Sequence, residues 1–461
     1  MRHFNSITCV VVTAISGIMF ADTLLVPTEY ETIQSAIDAA ALKGDTVQVD
    51  VGIYNETIDF LGKAITVEST AGEPSGTYID GAGLSGSVVS FITQETEASV
   101  LNGFTIRNGS AVDGGGVHIV GSAPSIQNCV ISGNTSSRFG GGLYAESSTL
   151  SLENVSITLN ASGNTGAGIY TKYSEGSITG CSFENNNGTS GAGIYVKEGS
   201  GVLTFTNVSM NGNKGSKHGG AIFNNGSVLI VLSCDFESNE AGQHGGVFYS
   251  IYDGDSTFSD CQFLNNSAVI DGGVANIRPG NAASFSLCTF SGNIADSDCD
   301  EIGQSGVMEI SSNSVTLENP TICSNLICDY VEDFSGNQPT IVGDILGCST
   351  EDGACCGGTA CWEMSETDCL DGDGVWSGED TLCAMVTCFT PDADDGGCCI
   401  DDICIMAASM VSCEEVGGTF EGELVECEDV VCVGCPADIN GDGSVEVNDI
   451  IEVMQSWGVC P

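Results

Sequence analysis

The stretch Ser233–Tyr249, SCDFESNEAGQHGGVFY, orders a cysteine, a phenylalanine, an asparagine, a glycine pair and an aromatic residue. The stretch Asp260–Asn276, DCQFLNNSAVIDGGVAN, follows nearly the same plan. Working outward, an asparagine column runs through Asn108, Asn134, Asn160, Asn186, Asn213, Asn239, Asn266 and Asn293, at spacings of 26 or 27 residues. Five residues before the last seven lie Cys129, Val155, Cys181, Val208, Cys234, Cys261 and Cys288. Two residues after those lie Ile131, Ile157, Phe183, Met210, Phe236, Phe263 and Phe290. Apolar residues two apart give a strand with one buried face.

A period in the twenties built from short strands is the mark of a β-solenoid. One coil cannot bury its own inner face, so copies stack at the inter-strand distance of about 4.8 Å. Each asparagine amide is then expected to bond to those above and below it, at a turn where backbone groups lack partners. The cysteines of the inner column are expected mostly as free thiols packed like small hydrophobes. Glycine pairs recur at "FGGGLY", "TGAGIY", "SGAGIY", "HGGAIF" and "HGGVFY", supplying positive φ where the coil turns.

These signatures resemble polymorphic outer-membrane-protein repeats, within the broad pectin-lyase-like group of right-handed parallel β-helices. The segment Val26–Ser69 resembles the amino-terminal cap of secreted β-helix proteins, with TIQSAIDAA as a short amphipathic helix over the open end. The resemblance implies an all-β fold: a right-handed parallel β-helix of about 12 coils over residues 22–349. It leaves the activity open, because this fold hosts many functions.

The 10 basic and 62 acidic residues give a net charge of −52, which excludes nucleic acid and anionic membrane surfaces as partners. The basic head and short apolar run before Ala21 read as a secretory signal over residues 1–21. No other segment is long and apolar enough to insert in a membrane, so the mature chain is expected outside the cell or on its surface. With 24 cysteines, an oxidising compartment and disulfides follow.

Past Ser349 the composition changes, to 26 acidic and no basic residues. Cys355, Cys356, Cys361, Cys369, Cys383 and Cys388 are echoed at nearly equal spacing by Cys398, Cys399, Cys404, Cys413, Cys427 and Cys432. Two disulfide-stapled modules are expected, residues 350–389 and 390–433, with the pairing undetermined. A zinc site competes weakly, since adjacent cysteines and a tail without histidine do not suit it.

Residues 434–461 end the chain in an EF-hand-like unit. Asp438, Asn440 and Asp442 occupy positions 1, 3 and 5 of a twelve-residue loop. Gly443 makes the turn, Ser444 offers its carbonyl, Glu446 reaches through water and Asp449 closes the loop. Such an oxygen set suits Ca2+. Matched at Asp438, Asn440, Asp442, Gly443 and Asp449, the loop resembles one dockerin repeat. That resemblance implies a cohesin-like partner, although dockerins usually carry two repeats; the competing reading is a calcium-stabilised cap.

The solenoid carries neither the carboxylate pattern of pectinolytic hydrolases nor the Asp-His and Arg-x-Pro-x-x-Arg pattern of the lyases. Enzymatic activity is therefore not the leading expectation. A ladder of aromatics after the glycines, Tyr144, Tyr170, Tyr195, Phe223 and Tyr249, is expected to face outward, where ring faces suit the sugars of an extracellular polysaccharide. The plain alternative is that the rings stack on one another. Arg138, Lys172, Lys197, Lys214 and Lys217 cluster in the same region and favour an acidic glycan. His218, His244 and Asp271 line up on three coils, either as a metal or acid–base site or as parallel polar residues at a turn. The rival to recognition is a polysaccharide lyase or glycoside hydrolase using Lys172, Lys197, His218, His244 or Asp271. A third reading is a structural or adhesin-like surface element.

Overall fold

The computed structural model describes residues 21–342, apart from 200, 296, 298–304, 313, 324 and 328–333, together with six strands between residues 352 and 423. The segment proposed as a signal (but for Ala21) and the whole calcium loop lie outside the described residues. The chain divides into two units, Met1–Gly347 and Cys348–Pro461.

The first unit is an all-β parallel solenoid of right-handed type with about 12 coils. Four parallel sheets of 13, 11, 9 and 11 strands form its walls. One coil shows the plan. Strand Thr149–Glu153 belongs to the 13-stranded sheet, Ser156–Thr158 to an 11-stranded sheet, Ala161–Ser162 to the 9-stranded sheet and Ile169–Lys172 to the other 11-stranded sheet. We call these the first to fourth walls. The chain turns at Asn154, Leu159, Gly166 and Tyr173, all with positive φ. Leu150, Leu152, Ile157 and Ile169 point inward and are buried. In later coils the core becomes aromatic: Phe236, Phe263 and Phe290 stack at 5.0 Å with rings 7° apart.

The asparagine file forms, one member different from the spacing's expectation. From Asn134 to Asn325 each Nδ2 donates to the next Oδ1 at 2.9–3.1 Å. The same oxygen accepts the backbone N–H of the preceding asparagine. The second amide hydrogen goes to a carbonyl of the preceding coil, as from Asn213 to Phe183 at 2.8 Å. Every polar atom of these completely buried side chains is thereby satisfied.

Asn108 is not a member. Val130 pairs with Thr105, so this coil has 25 residues, and Gly109 occupies the ladder position, donating its N–H to Asn134 Oδ1. Asn108 is exposed and bonds Asp80 instead. Asn325 takes the eighth place, which a longer coil of 32 residues had hidden.

The two glycines of each pair have different jobs. Gly245 turns the chain at φ +66°, where a Cβ would come 2.2 Å from Phe248 O. Gly246 lacks positive φ, but a Cβ there would meet Gly273 O of the next coil at 2.1 Å. The inner cysteines Cys129, Cys181, Cys234, Cys261 and Cys288 are buried free thiols.

The helix is Ile33–Ala39, capped by Thr32, with Ile33, Ala36 and Ile37 buried. Glu56 accepts the Ile33 and Gln34 N–H groups at 2.9 Å, placing negative charge at the positive end. Buried Lys63 donates to the carbonyls of Ile37, Asp38 and Ala40 at the other end. Both helix ends are thus anchored by the coil after it. Among the described residues no helix is long and apolar enough to cross a membrane.

In the second unit, strands Asp352–Gly357, Ala360–Ser365 and Val375–Glu379 form an antiparallel sheet. Strands Gly396–Ile400, Ile403–Ala407 and Thr419–Glu423 form another of the same order. Cys356 pairs in register with Cys361 and, equivalently, Cys399 with Cys404, so the two cysteine repeats share one strand plan.

Asn213→Ala removes the two bonds that Asn186 makes to Asn213 Oδ1 and the donor to Phe183 O. At about 1–3 kcal/mol for each buried group left unpaired, a loss of roughly 3–5 kcal/mol is expected in urea unfolding. Asn108→Ala, at an exposed position with φ +57°, should cost about 1–2 kcal/mol; equal losses at the two positions would contradict the ladder's role.

Candidate functional site

Alternation along the fourth wall sends Leu143, Ile169, Ile194, Ile222 and Phe248 inward and their neighbours Tyr144, Tyr170, Tyr195, Phe223 and Tyr249 to the other side. These five pair in register, with ring centroids 4.5–5.4 Å apart. Tyr144 and Tyr170 are 2° from parallel. A ladder therefore exists, but it does not present open faces. Tyr144, Tyr170, Phe223 and Tyr249 are only 5–8% exposed, while Tyr195 is half-buried.

Two contacts close the rings. Each ring covers the next, and the residue before the glycine pair packs on the ring one coil later. Phe139 stacks on Tyr170 at 4.6 Å, and His218 on Tyr249 at 4.6 Å. The expected platform of ring faces is corrected to a row of ring edges and hydroxyls. Tyr144 donates its hydroxyl to Glu146 at 2.8 Å, and Tyr195 Oη accepts from Asn225 at 3.1 Å. Burial raises the phenol pKa of Tyr144 and Tyr170.

The expected cation cluster is largely neutralised. Arg138 pairs with Asp113, Lys172 with Glu146 at 3.2 Å, Lys197 with Glu198 at 3.8 Å and Lys214 with Glu240 at 2.6 Å. The Tyr144 hydroxyl first, then Lys172, hold the Glu146 carboxyl below its ordinary pKa. Of the five, only Lys217 has no ion pair among the described residues.

His218, His244 and Asp271 follow one another through parallel bridges at the end of the third wall. The two imidazoles stack at 5.3 Å and 9°, and His244 Nδ1 lies 3.1 Å from Asp271 Oδ2. Rings this parallel do not aim at one point. Among the described residues no group of three or more His, Cys, Asp or Glu side chains is placed to hold a metal ion. Burial first, then the charge of His244, Lys217 and Arg278, push the His218 pKa down to about 4.

One residue of this region carried no assignment from sequence. Asn276 continues the aromatic column, paired with Tyr249, and is completely buried with neither amide atom hydrogen-bonded. Its only signal in the sequence was the break from aromatic to amide. The calcium candidates Asp438, Asn440, Asp442, Ser444, Glu446 and Asp449 lie outside the described residues.

A family model for the right-handed beta helix region matches residues 79–236, which include the coils from Tyr144 to Phe223. A search of curated proteins finds no match. Together with the parallel walls, the match defines the class as a parallel β-helix.

The unfolded-state histidine titrates near 6.5 and the folded His218 near 4, so the unfolded chain binds the proton first. His218 should therefore weaken the fold progressively as pH falls from 6.5 towards 4, and contribute no pH dependence above that window. Urea midpoints of wild type and His218→Gln, compared across pH 4–7, should converge as pH falls; parallel curves would contradict the linkage.

Proposed function

We propose that the chain is an extracellular or cell-surface recognition rod that binds polysaccharide lengthwise along its fourth wall. The observation that carries this reading is the in-register row from Tyr144 to Tyr249, whose regular 4.5–5.4 Å steps match a linear polymer better than a single small ligand. The binding groups are the half-buried Tyr195, the outer ring edges, and the carboxylates of Glu146 and Glu198 as acceptors for sugar hydroxyls. Because Lys172 and Lys197 already have acidic partners, this row suits polymers recognised through hydroxyls.

The acidic tail serves attachment. Asp438, Asn440, Asp442, Ser444, Glu446 and Asp449 supply the oxygen donors that Ca2+ requires, and the loop they form is the docking element for a cohesin-like partner.

Electrophoresis of the full chain in gels containing neutral or acidic polysaccharides tests the row. Retardation is expected, weakened at least several-fold by Tyr195→Phe and Tyr195→Ala, with the urea midpoint of Tyr195→Phe close to wild type. No retardation by any glycan would leave a structural or adhesin-like rod. New unsaturated or reducing ends in the glycan would move the assignment to the lyase or hydrolase reading. Calorimetry should show one Ca2+ per chain, lost in Asp438→Ala.

A further inference from the structure

At the carboxy-terminal end of the row the chemistry of the wall changes. The file before the glycine pairs runs Asp113, Phe139, Thr165, Ser190, His218, His244 and Asp271. Beside it, the outer column runs Tyr144, Tyr170, Tyr195, Phe223, Tyr249, Asn276 and Glu309. The packing of each file residue on the column residue one coil later sets aromatic on aromatic at Phe139 and Tyr170, and imidazole on aromatic at His218 and Tyr249. By the same offset, His244 belongs with Asn276 and Asp271 with Glu309. The ring zipper thus gives way to imidazole, amide and carboxylate.

Three observations set this end apart from the rest of the wall. Asn276 is completely buried with both amide atoms unpartnered, and so is Nδ1 of His218. A buried amide without partners is destabilising, and native structures hold few such groups. The same end stays reachable from solvent, since the side chains of His244 and Asp271 are 22% and 23% exposed. Finally, the uncompensated cations are here. Lys217 and exposed Arg278 form no ion pair among the described residues, and both are near enough to His218 to depress its pKa.

Arg278 is the last basic residue of the chain and follows Asn276 by two places, just past the end of the strand Ala275–Ile277. Lys217 belongs two coils earlier, about 10 Å along the axis at ~4.8 Å per coil. In a chain of net charge −52, Lys217 and Arg278 offset the carboxylates of Asp271 and Glu309 at this end of the wall.

We propose that His244, Asp271, Asn276, Lys217 and Arg278 form a subsite for one anionic sugar unit, carboxylated or sulfated. Arg278 and Lys217 hold the anionic group. The partly exposed His244–Asp271 pair exchanges hydrogen bonds with the hydroxyls beside it, with the buried Asn276 amide behind it. This rests on the polysaccharide reading of the same wall and adds an acidic, oriented end to it: the polymer runs along ring edges and is fixed in register where the rings stop.

The histidines test the subsite directly, independently of polymer binding. Beyond the proposed signal the chain has only His118, His218 and His244, so their imidazole resonances can be assigned by single substitution. The full chain is titrated with glucuronate, glucose 6-sulfate and glucose. Saturable shifts of His218 and His244 are expected with one or both anionic sugars, no comparable shift with glucose, and a silent His118. The carboxylated and sulfated probes tell the two anion sources apart. Arg278→Gln should weaken the response at least 10-fold, and raising salt to 0.5 M should weaken it too. Equal shifts with glucose, shifts at His118 as large as those at His244, no shift with either anion, or an unchanged response in Arg278→Gln would overturn the proposal. Tyr195→Phe separates the two readings: gel retardation lost there with the histidine shifts intact is a property of the row alone. Histidine shifts without retardation by any polymer would leave the subsite standing and remove the row.

Discussion

In-register stacking of buried amides is the constraint on which this molecule depends. A solenoid corner must turn the chain inside a dry interior, where backbone N–H groups have no neighbouring strand to pair with. Asparagine solves this because one planar amide offers two donors and a twice-accepting oxygen. From Asn134 to Asn325 those valences are all used, between coils and within them. A register slip of one residue would leave several buried groups unpaired on every coil. The ladder therefore sets the vertical alignment that all other columns inherit.

The aromatic column shows what inheritance of register means. Once the coils align, identical residues must lie about 5 Å apart, and flat rings at that separation cover one another. Stacking and availability to a ligand are then in competition. Most of the fourth wall resolves this in favour of stacking, leaving Tyr195 half-buried and the hydroxyls at the edge. The charges obey the same geometry: Lys172 lies one coil above Glu146, and Lys214 one below Glu240, so opposite charges in neighbouring layers pair and cancel. Where the column changes residue type, at Asn276, both amide atoms remain without hydrogen-bond partners.

Much of the solenoid was legible in the sequence because its period is local. The inward columns follow from alternation and spacing, the cap helix from the resemblance of Val26–Ser69 to a β-helix cap, and the free inner thiols from their place in an apolar column. Asn108 and Asn325 show where spacing misleads: a 25-residue coil shifts one position, and a 32-residue interval conceals another. The burial of the tyrosines was not legible, since Phe139 meets Tyr170 and His218 meets Tyr249 only through the offset between adjacent walls.

Sequence by itself determined the repeat, the inward and outward sense of each strand residue and the acidic character of the chain, because each depends on residues close together or on composition. Tertiary structure alone decided which outward groups are free. Availability depends on what the neighbouring coil places about 5 Å away, and that is a property of the stack. Lys172 and Arg278 look alike in sequence, each two residues after a column position, yet a carboxylate on the adjacent coil neutralises the first, whereas the second has no such partner among the described residues.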